Sequence, residues 1–272
     1  MEEIARAKLN LALHIRGRAP DGYHRLETVF AFAEDGDVLR ASPAADLTLR
    51  IEGPFADGLS AGEDNLVLRA ARSLQARFGG GEGAALVLEK RLPVASGIGG
   101  GSADAAAALR LLNRLWEIGA SEAELLELAR PLGADVPACL LSRPCFGTGR
   151  GDDLQPYDLS AFARAPLLLV NPRVGVSTAD VFRAWSGEDR GPLAGDLHQA
   201  RNDLEAPAKR IARVIGTVLE ALQRCPGASL VRMSGSGATC FALFDSEAAR
   251  DGAAARISAE QPGWWLLGTR LS

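Results

Sequence analysis

The sequence of 272 residues predicts an α+β fold in two domains, residues 1–155 and 156–272. Two observations lead to this prediction. Segments of alternating apolar residues and segments with an apolar stripe at helical spacing occur in both halves of the chain. Residues 147–156 are rich in glycine and acidic side chains and lack an apolar period, which favours a domain boundary there. The length suits one large domain or two medium domains, each able to bury a core.

The N-terminal half begins with a predicted strand. Residues 4–16 alternate between an apolar face and a polar face that carries Lys8, Asn10 and His14, so one face is expected on the core. Pro20-Asp21-Gly22 is typical of a tight turn. The remaining predictions in this part are a return strand over 26–32, a strand over 47–51, a helix from Asn65 to residue 78 that glycines 79–81 end, and a strand over 84–90.

Two helices are predicted after the glycine-rich stretch at 97–101. Ser102 is expected to cap the first helix, which has a clean apolar stripe and many alanines. Ser121 and Glu124 form a predicted capping box at the start of the second helix. Residues 133–137 then read as a turn.

The C-terminal half has the pattern of a ferredoxin-like domain. After a strand over 167–170, the order helix-strand-strand-helix-strand predicts this α+β arrangement. The first helix of that order is expected to be continuous, with apolar residues from Ile211 to Leu222 on one face. The other predicted elements are a short helix over 180–185, strands over 229–233 and 240–244 around a second glycine loop at 234–237, a helix over 247–259 and a strand over 264–270.

The composition excludes several classes of protein. A formal net charge of -4 argues against a nucleic-acid binder, which usually has a basic face. The 4 cysteines show no CxxC spacing and the 3 histidines are scattered, so neither a zinc site nor a disulfide framework is expected. There is no signal-peptide pattern and no apolar run of about 20 residues. We therefore expect a cytoplasmic protein with reduced thiols and no membrane or nucleic-acid partner.

Glycine is in excess, with 30 residues in the chain, and the most informative cluster is the stretch 97–101. Because glycine costs backbone entropy on folding, such a run needs a reason. The N–H groups of a glycine loop, together with the positive end of a following helix, bind phosphate. The Walker pattern fails for lack of a lysine, and the dinucleotide pattern is matched only in part. A flexible linker before an alanine-rich helix is the alternative.

The order of Pro93, small residues, the glycine run, Ser102 and an alanine-rich helix resembles the ATP loop of the GHMP kinases. The resemblance extends over essentially the whole chain and is weak only in residues 36–60 and 186–200. It implies a ribosomal-protein-S5-like N-terminal domain and a ferredoxin-like C-terminal domain. Ala103 stands where many relatives have a second serine. Further segments that match the family are residues 7–13, 17–28, 133–137, 202–205 and 233–238.

Asp21-Gly22-Tyr23-His24 is the most discriminating of these segments. It is similar to the members of the family that phosphorylate an erythritol linked to cytidine diphosphate. The implied reaction moves the γ-phosphate of ATP to the 2-hydroxyl of the erythritol, in the non-mevalonate route to isoprenoid precursors. Phosphoryl-transfer chemistry implies Mg²⁺. The protein is expected to be a monomer or a weak homodimer.

The resemblance also implies the catalytic residues. Asp135 is the implied base for the hydroxyl, and Lys8 is its implied partner beside the transferring phosphate. The charge of Lys8 favours the ionised carboxylate and offsets charge on the phosphoryl oxygens. Without the resemblance, a turn aspartate and an exposed strand lysine are the simpler interpretations.

Four residues are implied to bind the substrate. Tyr23 stacks on the cytosine, His24 makes hydrogen bonds to its edge, and Phe182 forms the other face of the stack. Asn10 shares the polar face of its strand with Lys8. For Phe182, a place in the core is the simpler interpretation, and for Tyr23 and His24 it is an ordinary hairpin position.

The glycine loop and its surroundings are implied to bind ATP. Helix capping explains Asn65 and Ser102 equally well, and Ser102 is also a candidate for contact with Mg²⁺ or a phosphate. The loop at 234–237 is expected to close over the phosphates, although a plain hairpin turn has the same pattern. The implied ATP-binding residues are Asn65, Pro93, Val94, Ala95, Ser96, Gly97, Ile98, Gly99, Gly100, Gly101, Ser102 and Ala103.

Two other functions stay open. One is another small-molecule kinase of the same superfamily, such as homoserine or mevalonate kinase, against which Asp21-Gly22-Tyr23-His24 argues. The other is a non-catalytic ATP-binding sensor, and the presence of both Lys8 and Asp135 argues against it.

Overall fold

The computed structural model describes residues 1–79, 83–193 and 195–272. The chain folds into two compact units, and each consists of several segments. The first unit contains Met1–Ala7, Asp35–Val94 and Gly99–Ser142, and the second contains Lys8–Glu34, Ala95–Ile98 and Arg143–Ser272. The division of the sequence into domains at residue 155 stays a prediction.

Two long strands, β1 (Glu2–Arg18) and β2 (His24–Ala44), pair with each other and contribute residues to both units. The alternation in β1 predicts one buried face, but every residue from Ala7 to Ile15 is buried. The polar face of the strand is therefore buried as well, and its side chains need hydrogen-bond partners inside the protein.

Among its described residues, the first unit combines a short mixed sheet with four helices. Strand β3 (Leu47–Glu52) runs parallel to β4 (Gly83–Glu89), and β4 pairs antiparallel with the C-terminal half of β2. Helix α2 packs against α1 and α4, and its four consecutive alanines from Ala105 to Ala108 are fully buried. These small side chains let neighbouring helices approach closely. The helices are α1 (Leu66–Phe78), α2 (Gly100–Leu115), α3 (Glu122–Ala129) and α4 (Val136–Leu141), with a 3-10 turn at Arg130–Leu132.

The starts of α1 and α3 agree with the predictions, whereas that of α2 does not, and α4 begins within residues 133–137, which the sequence predicts as a turn. The Asn65 side chain caps α1, and Ser121 and Glu124 form the predicted capping box of α3. Gly79 ends α1, whereas Gly80 and Gly81 lie outside the described residues. The predicted capping of α2 by Ser102 is wrong. Gly99 takes a left-handed conformation as N-cap, so the helix begins at Gly100 and Ser102 falls in its first turn.

The second unit contains two strands and one helix break that the sequence did not predict. Residues 147–156 have no apolar period, yet β5 (Cys145–Thr148) and β6 (Asp153–Pro156) form a hairpin beside the N-terminal half of β2. The helix predicted around residues 211–222 is two helices, α6 (Glu205–Ile211) and α7 (Val214–Gln223). Ala212 is extended at the break, and Ile211 is exposed rather than on the buried face.

The ferredoxin-like prediction is confirmed. Strand β7 is followed by α5 and α6 and then by the order α7, β8, β9, α8, β10, and the four strands form an antiparallel sheet in the order β10-β7-β9-β8. Residues of this sheet, of α7 and of α8 share one apolar core. The new elements are β7 (Pro166–Asn171), α5 (Thr178–Arg183), β8 (Ala228–Met233), β9 (Cys240–Phe244), α8 (Glu247–Glu260) and β10 (Trp265–Arg270), with a 3-10 turn at Ser160–Phe162.

The helices of the described ranges are short or polar. None of them combines the length and the apolarity that a membrane crossing requires.

Candidate functional site

Lys8 and Asn10 begin a buried polar network in the second unit. Lys8 is only 3% exposed, and its Nζ donates to Oδ1 of Asn10 at 2.8 Å. Asn10 Nδ2 donates to Oγ1 of Thr28 at 2.7 Å, and the Thr28 hydroxyl donates to the carbonyl of Ala12 at 2.6 Å. The Lys8 ammonium also lies 5.4 Å from the centroid of the Phe30 ring. Lys8 is therefore not the exposed strand lysine of the simpler interpretation; it is a positioned, buried cation.

The same network reaches the two glycine loops. The N–H of Asn10 donates to Oγ of Ser234 at 3.2 Å, and Ser234 Oγ donates to the carbonyl of Gly97 at 2.9 Å. A Cβ atom on Gly97 would lie 2.4 Å from the Ser234 carbonyl oxygen, and one on Gly235 would lie 2.8 Å from the Gly97 carbonyl oxygen. In the second unit, these two glycines are therefore required for the close approach of one loop to the other.

The Gly97→Ala variant is expected to lose more than about 1 kcal/mol of unfolding free energy, because Gly97 has a φ of 79° and its Cβ would meet backbone. Urea unfolding followed by circular dichroism measures this loss. Gly252→Ala is the matched control: Gly252 lies within α8 with no atom near its Cβ position, so this change is expected to stabilise by roughly 0.5–1 kcal/mol. Equal stability of the two variants would contradict the assigned role of Gly97.

His24 lies between two aromatic side chains at the start of β2. Its ring centroid is 4.9 Å from that of Phe182, at an interplanar angle of 38°, and 5.5 Å from that of Trp185, edge-on. Its Nε2 is buried and has no hydrogen-bond partner. Burial, with a smaller effect from the positive charge of Arg18, lowers the pKa of His24. The lowered pKa favours the neutral imidazole, which has one hydrogen-bond donor and one acceptor.

Tyr23 is half exposed in the turn before His24. The turn is fixed by hydrogen bonds from the Tyr23 N–H to Oδ1 of Asp21 at 3.0 Å and from the Ala19 N–H to the Tyr23 carbonyl at 2.7 Å. The guanidinium carbon of Arg150 lies 3.8 Å from the centroid of the Tyr23 ring. Phe182 thus contacts His24, whereas the guanidinium of Arg150 stacks on the ring of Tyr23.

The sequence did not predict two side chains that contact His24 and Tyr23. Trp185 follows Phe182 at helical spacing, and this spacing could have indicated that the two lie close together. Arg150 lies in the tip of the unpredicted β5–β6 hairpin, so nothing in the sequence pattern placed it near Tyr23.

The N-terminus of α2 belongs to the first unit and has the features of an anion site. The N–H groups of the first turn of a helix have no intrahelical acceptor, and the helix dipole adds positive potential there. Gly101 is exposed and carries no side chain that would shield these groups. In the second unit, Ile98 is fully buried and its carbonyl accepts from the N–H of Lys8 at 3.0 Å. Of the other loop residues, Pro93 and Ser96 are buried, whereas Val94 and Ala95 are exposed.

A buried charge cluster supports the start of α2. Nζ of Lys90 donates to Asp37 and, at 2.6 Å, to Oδ2 of Asp104. Oδ1 of Asp37 accepts from the N–H groups of Arg91 and Leu92 at 2.6 and 2.8 Å. A Cβ on Gly100 would lie 3.4 Å from Nζ of Lys90, so the cluster lies directly beside the first helical residue.

The ionisation of this cluster is set by burial. Burial raises the pKa of Asp104 to about 7, against the opposing effect of Lys90, and Oδ1 of Asp104 has no hydrogen-bond partner. Burial lowers the pKa of Lys90, but the carboxylates of Asp104 and Asp37 outweigh it and the pKa is raised overall. Lys90 therefore keeps its proton, and Asp104 is the carboxyl group that burial makes easy to protonate. The sequence did not predict this cluster, although Asp104 within an alanine-rich helix could have indicated a buried charge.

Asp135 and Asn65 both lie at helix starts in the first unit, but they act differently. The Asp135 carbonyl accepts from the N–H of Cys139 at 3.0 Å, yet its carboxylate does not cap α4. Oδ1 of Asn65 accepts from the N–H of Val67 at 2.9 Å, and Nδ2 donates to the Ser60 carbonyl at 2.7 Å. The amide of Asn65 is thus engaged in helix capping.

Comparison with known proteins first defines the class. The family model described as the GHMP kinases N terminal domain matches residues 65–143, and the one described as GHMP kinases C terminal matches residues 186–263. A crystal structure of homoserine kinase from Cytophaga hutchinsonii, at 18% identity, has a TM-score of 0.72 and covers 99% of this chain and 95% of that one, which shows the same fold. The fold is that of a GHMP kinase.

Two further relatives narrow the family. The 4-diphosphocytidyl-2-C-methyl-D-erythritol kinase of Rhizorhabdus wittichii is 55% identical over 99% of this chain and 94% of its own length. A crystal structure of 4-(cytidine 5'-diphospho)-2C-methyl-D-erythritol kinase is 35% identical, with a TM-score of 0.85 and full coverage of both chains. The chain belongs to this family of small-molecule kinases.

Proposed function

We propose that the protein transfers the γ-phosphate of ATP to the 2-hydroxyl of 4-(cytidine 5'-diphospho)-2-C-methyl-D-erythritol, giving the 2-phosphate and ADP. The observation that carries this proposal is the buried, unpartnered Nε2 of His24 between Phe182 and Trp185. A cytosine offers both hydrogen-bond donors and acceptors on its edge and a flat face for aromatic contact. Homoserine and mevalonate contain no ring that would use such a site.

Asp135 and Lys8 have separate roles in the proposed reaction. The 2-hydroxyl oxygen bonds to the γ-phosphorus as the bond from phosphorus to the β,γ-bridging oxygen breaks, and the hydroxyl proton passes to the Asp135 carboxylate. Lys8 supplies positive charge to the phosphoryl group. Its hydrogen bond to Asn10 and its burial support this role, because a positioned cation does not have to reorganise during the reaction.

The glycine loops and their surroundings would make the contacts with ATP. The N–H groups at the start of α2 would bind the phosphates of ATP, with Asn65 bordering the adenine. Residues 234–237 would cover the phosphates from the second loop. Gly97 and Gly235 support this arrangement because their lack of side chains lets the two loops meet.

The proposed reaction implies Mg²⁺ bound together with the nucleotide. Within the described ranges, no group of three or more His, Cys, Asp or Glu side chains could hold a metal ion. Mg²⁺ is commonly bound by one or two carboxylates together with substrate phosphates. The hydroxyl of Ser102, in the first turn of α2, is the protein group that would hold it. When bound, Mg²⁺ neutralises charge that develops on the β- and γ-phosphates.

We further propose that the protein acts in the cytoplasm on small molecules, as a monomer or a weak homodimer. The formal net charge of -4 supports the absence of a nucleic-acid partner.

A substrate panel tests the proposed function. Purified protein with ATP and Mg²⁺ is expected to form ADP with 4-(cytidine 5'-diphospho)-2-C-methyl-D-erythritol and not with homoserine or mevalonate. ³¹P NMR of the product is expected to show a new phosphomonoester at the 2-position. Phosphorylation of homoserine or mevalonate but not of the cytidine compound would overturn the proposal. Binding of both ligands without ADP formation would instead favour an ATP-binding sensor.

A further inference from the structure

The tip of the β5–β6 hairpin, residues 149–152, is a firmly built element beside the substrate turn. The Gly151 N–H donates to the Thr148 carbonyl at 2.9 Å, and Oδ1 of Asp152 accepts from the Arg150 N–H at 3.2 Å. The Leu26 N–H donates to the Gly149 carbonyl at 2.7 Å, which extends the pairing of β5 with β2. The hairpin tip is therefore attached to the strand that begins directly after Tyr23.

This attachment places the Arg150 guanidinium over the Tyr23 ring, with 3.8 Å between the guanidinium carbon and the ring centroid. Both side chains are exposed. Among the described residues, no carboxylate forms an ion pair with Arg150, whereas Arg16 in the same unit contacts Glu27 at 2.6 Å and Asp189 at 2.9 Å. The ring of Tyr23 is thus the partner that holds Arg150 in place.

The stacking has two consequences for Tyr23. One face of its ring is covered, so the opposite face is the one available to a planar ligand. An exposed tyrosine on a turn also loses rotamer freedom when it stacks on a ligand, and a ring already held by a guanidinium has less freedom to lose. Arginine stacks on an aromatic face better than lysine because its guanidinium is planar and delocalised.

We propose that Arg150 is a positioning residue that fixes the Tyr23 ring for stacking with the base of the nucleotide substrate. The inference rests on the proposed function, since it concerns the cytidine side of that substrate. Arg150 acts through Tyr23 and not through direct contact with the diphosphate. It determines affinity for the cytidine compound and has no part in the transfer of the phosphoryl group.

Steady-state kinetics of Arg150→Gln test the proposal. We expect KM for the cytidine compound to rise roughly two- to fivefold, the range that an exposed cation–π contact supports, with kcat and KM for ATP unchanged. Arg150→Lys is expected to recover part of the loss. Calorimetric binding of cytidine diphosphate to each variant gives the same comparison without turnover. Arg77→Gln is the matched control, because Arg77 stacks on Phe78 at 5.1 Å in α1.

A double-mutant cycle distinguishes an effect of Arg150 through Tyr23 from a direct contact of Arg150 with the diphosphate. If Arg150 works through Tyr23, Arg150→Gln has no further effect in a Tyr23→Ala background. Additive losses would overturn the proposal and indicate direct contact with the diphosphate. Unchanged KM in Arg150→Gln, with normal turnover by the native protein, would also overturn it while leaving the proposed function intact. Absence of turnover by the native protein would instead reject the proposed function.

Discussion

The Asp135→Asn variant is expected to lose between about a hundredfold and ten-thousandfold in kcat, the range that general-base catalysis typically contributes. Asparagine keeps the shape of the side chain but cannot accept the hydroxyl proton. The Asp135 carboxylate does not cap α4, so the substitution is expected to leave the helix start unchanged. Coupled detection of ADP formation, with both substrates at saturation, measures the change.

Nucleotide binding provides the necessary control for Asp135. Calorimetric titration of Asp135→Asn with ATP is expected to give a dissociation constant close to that of the native protein. Asp46→Asn, at an exposed position between β2 and β3, is expected to leave kcat unchanged. Native turnover by Asp135→Asn would remove Asp135 as the base, and loss of nucleotide binding would show that its role is not confined to the transfer step.

The largest expected effect on stability is that of Lys90→Met. This change leaves the carboxylates of Asp37 and Asp104 buried without their cation, and removal of one partner from a buried charge cluster typically costs about 3–5 kcal/mol. Urea unfolding of the variant at pH 8, followed by circular dichroism, is expected to show a loss of this size.

The Asp104→Asn variant is the matched control because it replaces the easily protonated member of the cluster with a neutral side chain of the same shape. In the native protein, the pKa of Asp104 is raised by burial to about 7 from an ordinary value of 3.8, so the folded state binds the proton more tightly than the unfolded state. The contribution of this group to stability therefore falls as the pH rises from about 4 to 7. Asp104→Asn is expected to flatten that dependence and to be at least as stable as the native protein at pH 8.

Two outcomes would contradict this account of the cluster. One is native stability of Lys90→Met at pH 8. The other is a loss in Asp104→Asn at pH 8 as large as that in Lys90→Met, which would mean that Lys90 requires both carboxylates.

The sequence predicted those structural elements that depend on residues close to one another in the chain. The caps at Asn65 and Ser121 depend on residues within a few positions, and both are confirmed. The ferredoxin-like order followed from the succession of apolar patterns, and the sheet order confirms it. Hairpin β5–β6 was missed because its strands have only four residues each, too few for an alternating pattern to stand out.

Features that depend on distant residues were not predictable in the same way. The alternation in β1 does not reveal that Lys8 is buried, because its partner Asn10 is joined to Ser234 from the far end of the chain. The charge cluster joins Asp37 from β2 to Lys90 and Asp104, and no spacing rule connects the three. In the same way, the resemblance to a kinase family indicated Tyr23, His24 and Phe182. It did not indicate Trp185 and Arg150, which also contact these rings.

The second unit is built from separate segments of the chain, and this affects how the protein folds during its synthesis. Strand β1 is synthesised first, yet its Leu13, Ile15 and Asn10 backbone N–H groups bind acceptors at Arg201, Asp203 and Ser234. The hydrogen bonds of β1 can therefore be completed only after the last third of the chain has been synthesised. Contacts between such distant residues slow folding. The second unit is therefore expected to complete its folding only after these residues have been synthesised, and a chain truncated before Arg201 leaves those three groups without their native acceptors.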